Sequence, residues 1–102
     1  MEFYDEAALL ERVEPIYPKE AIDKGIRGTV LLNVVRGKDG RVLRADVVSG
    51  NPILAKAARQ AVMGWRFKPY VLNGEAIEKN MKIRITFPRA KPGKRPGAVG
   101  VG

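Results

Sequence analysis

The chain has 102 residues, 45% of them hydrophobic, which suffices for one modest core and one domain. It has neither cysteine nor histidine, so disulfide frameworks, thiolate chemistry, histidine-based hydrolase triads and catalytic zinc sites are set aside. The net charge of +8 is unevenly placed: residues 1–20 hold six acids against two bases, and the remainder carries +12. A basic body suits nucleic acid, an anionic membrane face or an acidic partner, and equally a soluble domain with a charged surface.

Residues 1–12 are an acidic lead-in. Glu6 to Arg12 could form a short helix that Pro15 would end. No stretch reaches the roughly 18 apolar residues that cross a bilayer. Met1-Glu2-Phe3-Tyr4-Asp5 is acidic, unlike the start of a signal peptide. If the protein works outside the cytoplasm, its export or anchoring segment is expected to lie outside these residues. Pro18 suits the first turn of a helix, because its missing N–H costs nothing there, and Lys19 to Lys24 continue it. Ala21 and Ile22 face inward, and Gly25 caps the end.

Gly28 to Arg36 alternates Val30, Leu32 and Val34 on one face with Leu31, Asn33 and Val35 on the other, as a central strand would. Lys38-Asp39-Gly40 is a hairpin signal, and Arg41 to Ser49 is the returning strand. Its Leu43, Ala45 and Val47 are expected on one face, with Val42, Arg44, Asp46 and Val48 on the other. Asn51 and Pro52 then cap and open a helix expected to reach about Phe67. Leu54, Ala58, Ala61, Val62 and Trp65 recur at three- and four-residue steps and mark its buried stripe.

Lys68 to Glu75 is read as a loop carrying Pro69 and Asn73-Gly74. Ala76 to Phe87 is the last strand, alternating Met81, Ile83, Ile85 and Phe87 with Lys82, Arg84 and Thr86. Residues 88–102 are rich in Gly, Pro, Lys and Arg, the composition of a disordered basic tail.

The expected fold is a small two-layer α+β domain of order α-β-β-α-β. Its three-stranded antiparallel sheet would run in the order 2-1-3, with both helices on one face. The last strand then lies at an edge, where unpaired N–H and C=O groups can accept an extended peptide. Lys82 and Arg84 would guard that edge or suit an acidic partner.

Short signatures are spread across residues 13–87. They begin with Val13-Glu14-Pro15-Ile16-Tyr17-Pro18, then Ala21, Gly25, Gly28-Thr29-Val30, Asp39-Gly40-Arg41-Val42 and Val48-Ser49-Gly50. They close with Ala57-Ala58, Ala61-Val62, Trp65-Arg66-Phe67-Lys68-Pro69 and Ile83-Arg84-Ile85-Thr86-Phe87. As a set they resemble the TonB C-terminal domain family, the Tyr-Pro start and Trp-Arg-Phe-x-Pro run being the most telling. The resemblance implies a periplasmic, non-enzymatic domain of an energy transducer. In that family a membrane helix and a proline-rich spacer come first, joining the domain to an inner-membrane proton-driven complex. The domain captures a segment of an outer-membrane receptor, the TonB box, as an added strand.

On that basis the partner-binding residues are expected to be Pro15, Ile16, Tyr17, Met81, Lys82, Ile83, Arg84, Ile85 and Thr86. Tyr17-Pro18 also has a structural reading, with the ring packed on the sheet, and Trp65 is read as core. Arg66 and Lys68 are read as solvated. Asp46 and Glu78 have no evident acid–base partner. No P-loop or dinucleotide fingerprint is present, and no metal or cofactor is implied. Two other readings stand beside the first. The basic body and Arg89, Lys91, Lys94 and Arg95 could contact nucleic-acid phosphates, although the aromatics form no evident stacking platform. An open edge could instead pair with a second copy and give a homodimer.

Overall fold

The two most regular alternations in the sequence form the two longest strands. The computed structural model describes residues 2–3 and 6–88. Its elements are β1 (Glu2–Phe3), a 3-10 turn (Glu6–Ala8), β2 (Leu9–Glu11), α1 (Lys19–Asp23), β3 (Gly28–Arg36) and β4 (Val42–Ser49). They continue with α2 (Pro52–Val62), β5 (Arg66–Phe67), β6 (Tyr70–Leu72), β7 (Glu75–Ile77) and β8 (Lys79–Phe87). The expected basic tail lies outside the described residues, apart from Pro88.

β3 pairs antiparallel with β8 in unbroken register, from Gly28 opposite Phe87 to Arg36 opposite Lys79. It pairs antiparallel with β4 on its other side. The antiparallel sheet is thus β4-β3-β8, the expected order 2-1-3. Val30, Leu32 and Val34 lie opposite Ile85, Ile83 and Met81, and all six are essentially inaccessible. α2 joins the same core through Leu54, Ala55, Ala57, Ala58, Ala61 and Val62. Burying one Val, Leu or Ile side chain contributes about 1.5–3 kcal/mol. Ion pairs such as Lys19–Asp23 and Arg44–Asp46 join exposed side chains, where a pair contributes about 0–1 kcal/mol. The core therefore outweighs the surface charges in holding the sheet and helices together.

Local signals at the helix ends act as expected. Asn51 Oδ1 accepts from the Ile53 N–H at 2.9 Å, and Pro52 opens α2. Gly25 takes φ +68 just past α1, with the Ile26 N–H returning to the Ala21 carbonyl at 2.8 Å.

Four local expectations are corrected. Residues 6–12 are not helical: after the 3-10 turn, Leu9–Glu11 pairs antiparallel with Arg66–Phe67. That partner strand exists because α2 stops at Val62, well before Phe67. The Gly64 and Trp65 amides bond to Ala61 and Val62, and the Phe67 amide turns to Gly40. Trp65 is buried as expected, but beyond the helix.

Residues 70–77 are a hairpin rather than a loop. Asn73 and Gly74 adopt φ +52 and +81, the conformation such a two-residue turn requires, so β8 begins only at Lys79. In β4, extra residues at Leu43 and Val48 interrupt the register; between them Ala45 and Val47 share the face of Val34 and Leu32 as expected, but the extra residue at Leu43 brings Val42, rather than Leu43, to the core. Val42 and Ala45 are buried, while Leu43 and Val47 are exposed.

Candidate partner-binding edge

β8 gives one side of its backbone to β3. On its other side β1 pairs in parallel, Glu2 opposite Met81 and Phe3 opposite Lys82. The last strand is thus interior at Met81 and Lys82. Among the described residues, no strand pairs with that side from Ile83 to Phe87. These five residues span roughly 16 Å. The alternation read from the sequence holds along it. Ile83, Ile85 and Phe87 are buried under the helices, and Arg84 and Thr86 are exposed on the helix-free face. There the Thr86 hydroxyl lies 3.2 Å from that of Thr29, and Lys82 is half-buried.

The opposite edge of the sheet differs. β4 is bulged twice, and Arg59 of α2 donates from Nε to the Ala45 carbonyl at 2.9 Å. Bulges and occupied carbonyls are what proteins use to keep an edge from pairing. Along Ile83–Phe87 β8 has no bulge, and its register with β3 is unbroken.

The segment before α1 is held from several directions. The Trp65 indole N–H donates to the Val13 carbonyl, and Pro15 is buried. Tyr17 is buried against the sheet; its ring meets Phe87 edge-on at 5.4 Å, and its hydroxyl donates to the Ile26 carbonyl. Tyr17 therefore touches the end of the candidate edge. Ile16, by contrast, is 69% exposed. It borders a groove of about 520 Å³ with Pro18, Pro52, Ile53, Lys56 and Ala57, which no β8 residue lines. The structure thus joins Tyr17 to the β8 residues and places Ile16 over α2.

Two contributors were not singled out from the sequence. Arg59 is one, and Glu2–Phe3 is the other. Neither has a local signal, since a helix-surface arginine and a two-residue strand show no period. Arg66 is exposed, as expected, and approaches Glu11 at 3.7 Å. Among the described residues, no group of three or more Asp and Glu side chains is placed to hold a metal ion. What the edge can offer is hydrogen bonding by main-chain N–H and C=O, with alternating apolar and basic flanks.

A small α+β domain whose antiparallel sheet ends in a bulged strand on one side and a regular one on the other is the class defined by this geometry. Residues 13–88 match the family model described as Gram-negative bacterial TonB protein C-terminal, and the chain belongs to that family. It is 31% identical over 86 residues to the protein TonB of Vibrio cholerae, a match covering 81% of this chain and 35% of that protein. It is 33% identical over 75 residues to the protein TonB of Pseudomonas aeruginosa, covering 72% of this chain and 22% of the relative. The matches thus span about a third and about a fifth of those proteins. Among solved structures, the solution structure of the Pseudomonas aeruginosa TonB CTD superposes with a TM-score of 0.66 at 30% identity, covering 85% of this chain and 87% of that one. The TonB2 protein from Vibrio anguillarum gives 0.61 at 34% identity, with 80% of each chain covered.

Proposed function

We propose that this domain is the non-catalytic, periplasmic, partner-binding end of a TonB-type energy transducer, and that it grips a receptor segment by strand addition at β8. The observation that carries the reading is the contrast between the two sheet edges. Ile83–Phe87 keeps an unbroken register with β3, and among the described residues no strand pairs on its far side, whereas β4 is bulged and engaged by Arg59. An added peptide would gain main-chain hydrogen bonds along β8. Its side chains would alternate between the apolar row of Ile83, Ile85 and Phe87 and the polar row of Arg84 and Thr86. Family membership supports the wider role, in which the domain is tethered to an inner-membrane proton-driven complex and pulls on an outer-membrane receptor. Transmitting force needs a firm grip and no bond chemistry.

The test is a titration with a synthetic receptor-segment peptide copying a TonB box, followed by residue-resolved NMR. Saturable shifts should concentrate on Ile83 to Phe87 and persist in moderate salt. The same peptide N-methylated at alternate residues keeps its side chains and loses its donors, so it should bind at least roughly tenfold more weakly. Equal binding of the methylated peptide would refute strand addition. Binding that vanishes with salt whatever the peptide would instead indicate nonspecific electrostatics.

A further inference from the structure

We infer that residues Glu2–Phe3 act as a built-in competitor for the peptide-binding edge, so that an incoming strand long enough to cover all of β8 must evict the chain's own β1. This rests on the strand-addition reading and adds a regulatory element to it. The observation is the parallel pairing of Glu2 with Met81 and Phe3 with Lys82, on the side of β8 away from β3. That side of β8 is the one an added peptide would use.

The connection between the competitor and the domain is short and firmly rooted. The Lys68 N–H donates to the Ala8 carbonyl at 2.8 Å, Leu9 pairs with Phe67, and Glu11 approaches Arg66. Only the residues between Phe3 and Ala8 separate this root from β1. Those four residues make five chain steps, which reach at most about 17 Å, so the tethered strand stays close to its edge. Tethering on that scale gives an effective concentration in the millimolar range. Charge acts in the same direction: residues 1–6 carry three acids and no base, and β8 carries Lys79, Lys82 and Arg84 with no acid.

Among the described residues the pairing joins two residue pairs, Glu2–Met81 and Phe3–Lys82, which makes it a weak latch. A receptor segment confined to Ile83–Phe87 would leave it in place. A longer one would displace it, and its apparent affinity would fall by the fraction of chains in which the edge is open.

The experiment uses the full chain and a variant carrying Glu2→Pro with Phe3→Pro, which removes both β1 donors without touching β8. Amide exchange is measured first without peptide. Whichever of Met81 and Lys82 directs its N–H away from β3 should exchange faster in the variant, with the β3–β8 ladder unchanged. A nine-residue receptor-segment peptide and a five-residue version are then titrated. The variant should bind the longer peptide roughly three- to tenfold more tightly and the shorter one equally well. Unchanged exchange at both Met81 and Lys82 would overturn the self-pairing. Faster exchange with unchanged affinity for the longer peptide would overturn the competition. If neither chain binds either peptide, strand addition itself fails and the competition with it, while the exchange data still report whether β1 holds the edge.

Discussion

The indole N–H of Trp65 donates to the carbonyl of Val13 at 2.8 Å, and the guanidinium of Arg12 lies 5.3 Å from the centre of the same ring system. One buried side chain thus fixes the turn after α2 to the segment leading into Tyr17. Trp65→Phe would remove the donor and part of the ring. We expect a loss of about 2–4 kcal/mol in urea unfolding, combining lost packing with an unsatisfied carbonyl. Amide shifts of Glu14 to Tyr17 should change more than those of β3. A loss under about 0.5 kcal/mol would show that this tie is unimportant.

Gly40 and Gly74 allow backbone strain to be separated from steric clash. Both have positive φ, +89 and +81. A Cβ at Gly40 would stand 1.8 Å from the Phe67 carbonyl oxygen, whereas one at Gly74 would meet nothing within 4 Å. Gly74→Ala should therefore cost only the conformational term, about 1–2 kcal/mol. Gly40→Ala should cost at least about 3 kcal/mol, because backbone must move and the bond from the Phe67 N–H to the Gly40 carbonyl is strained. Thermal unfolding of the two variants side by side is the check; equal losses would remove the clash as a cause.

Arg59 is expected to protect the β4 edge. Arg59→Ala frees the Ala45 carbonyl beside the exposed side chains of Leu43, Val47 and Val48. Sedimentation velocity over a concentration series should then show self-association absent from the parent at the same concentrations. Receptor-peptide affinity should be unchanged, since β8 is untouched. If the variant sediments as the parent does, the bulges alone protect this edge.

Arg36 is buried at the end of β3, donates to the Lys68 carbonyl, and lies over both Phe67 and Tyr70. Lys79 sits 4.5 Å from the centre of the Tyr70 ring. These contacts root the β6–β7 hairpin. Arg36→Lys keeps the charge but loses the planar group that stacks and donates at once. We expect a loss of about 1–3 kcal/mol and faster amide exchange across Tyr70 to Ile77, with the middle of the β3–β8 ladder protected as before. Uniform loss of protection throughout the sheet would show a global role instead.

Period and capping alone determined much of this protein. The alternation over residues 28–36 and 81–87, the Asn51-Pro52 start of α2 and Gly25 after α1 are local matters of which backbone and face each residue permits, so they survive in the folded chain. The two-faced apolar character of β3 likewise implied its central place. Other features arise from meetings between distant segments, which no local pattern encodes. Pairing with Arg66–Phe67 turned a weak helical preference at Leu9–Glu11 into a strand. The bulge at Leu43 gave Val42 the core position that strict alternation would have given Leu43. The edge itself was legible as an edge, but its partial occupation by Glu2–Phe3 and the guarding of its opposite by Arg59 were decided only in three dimensions, because each joins groups brought together by the fold.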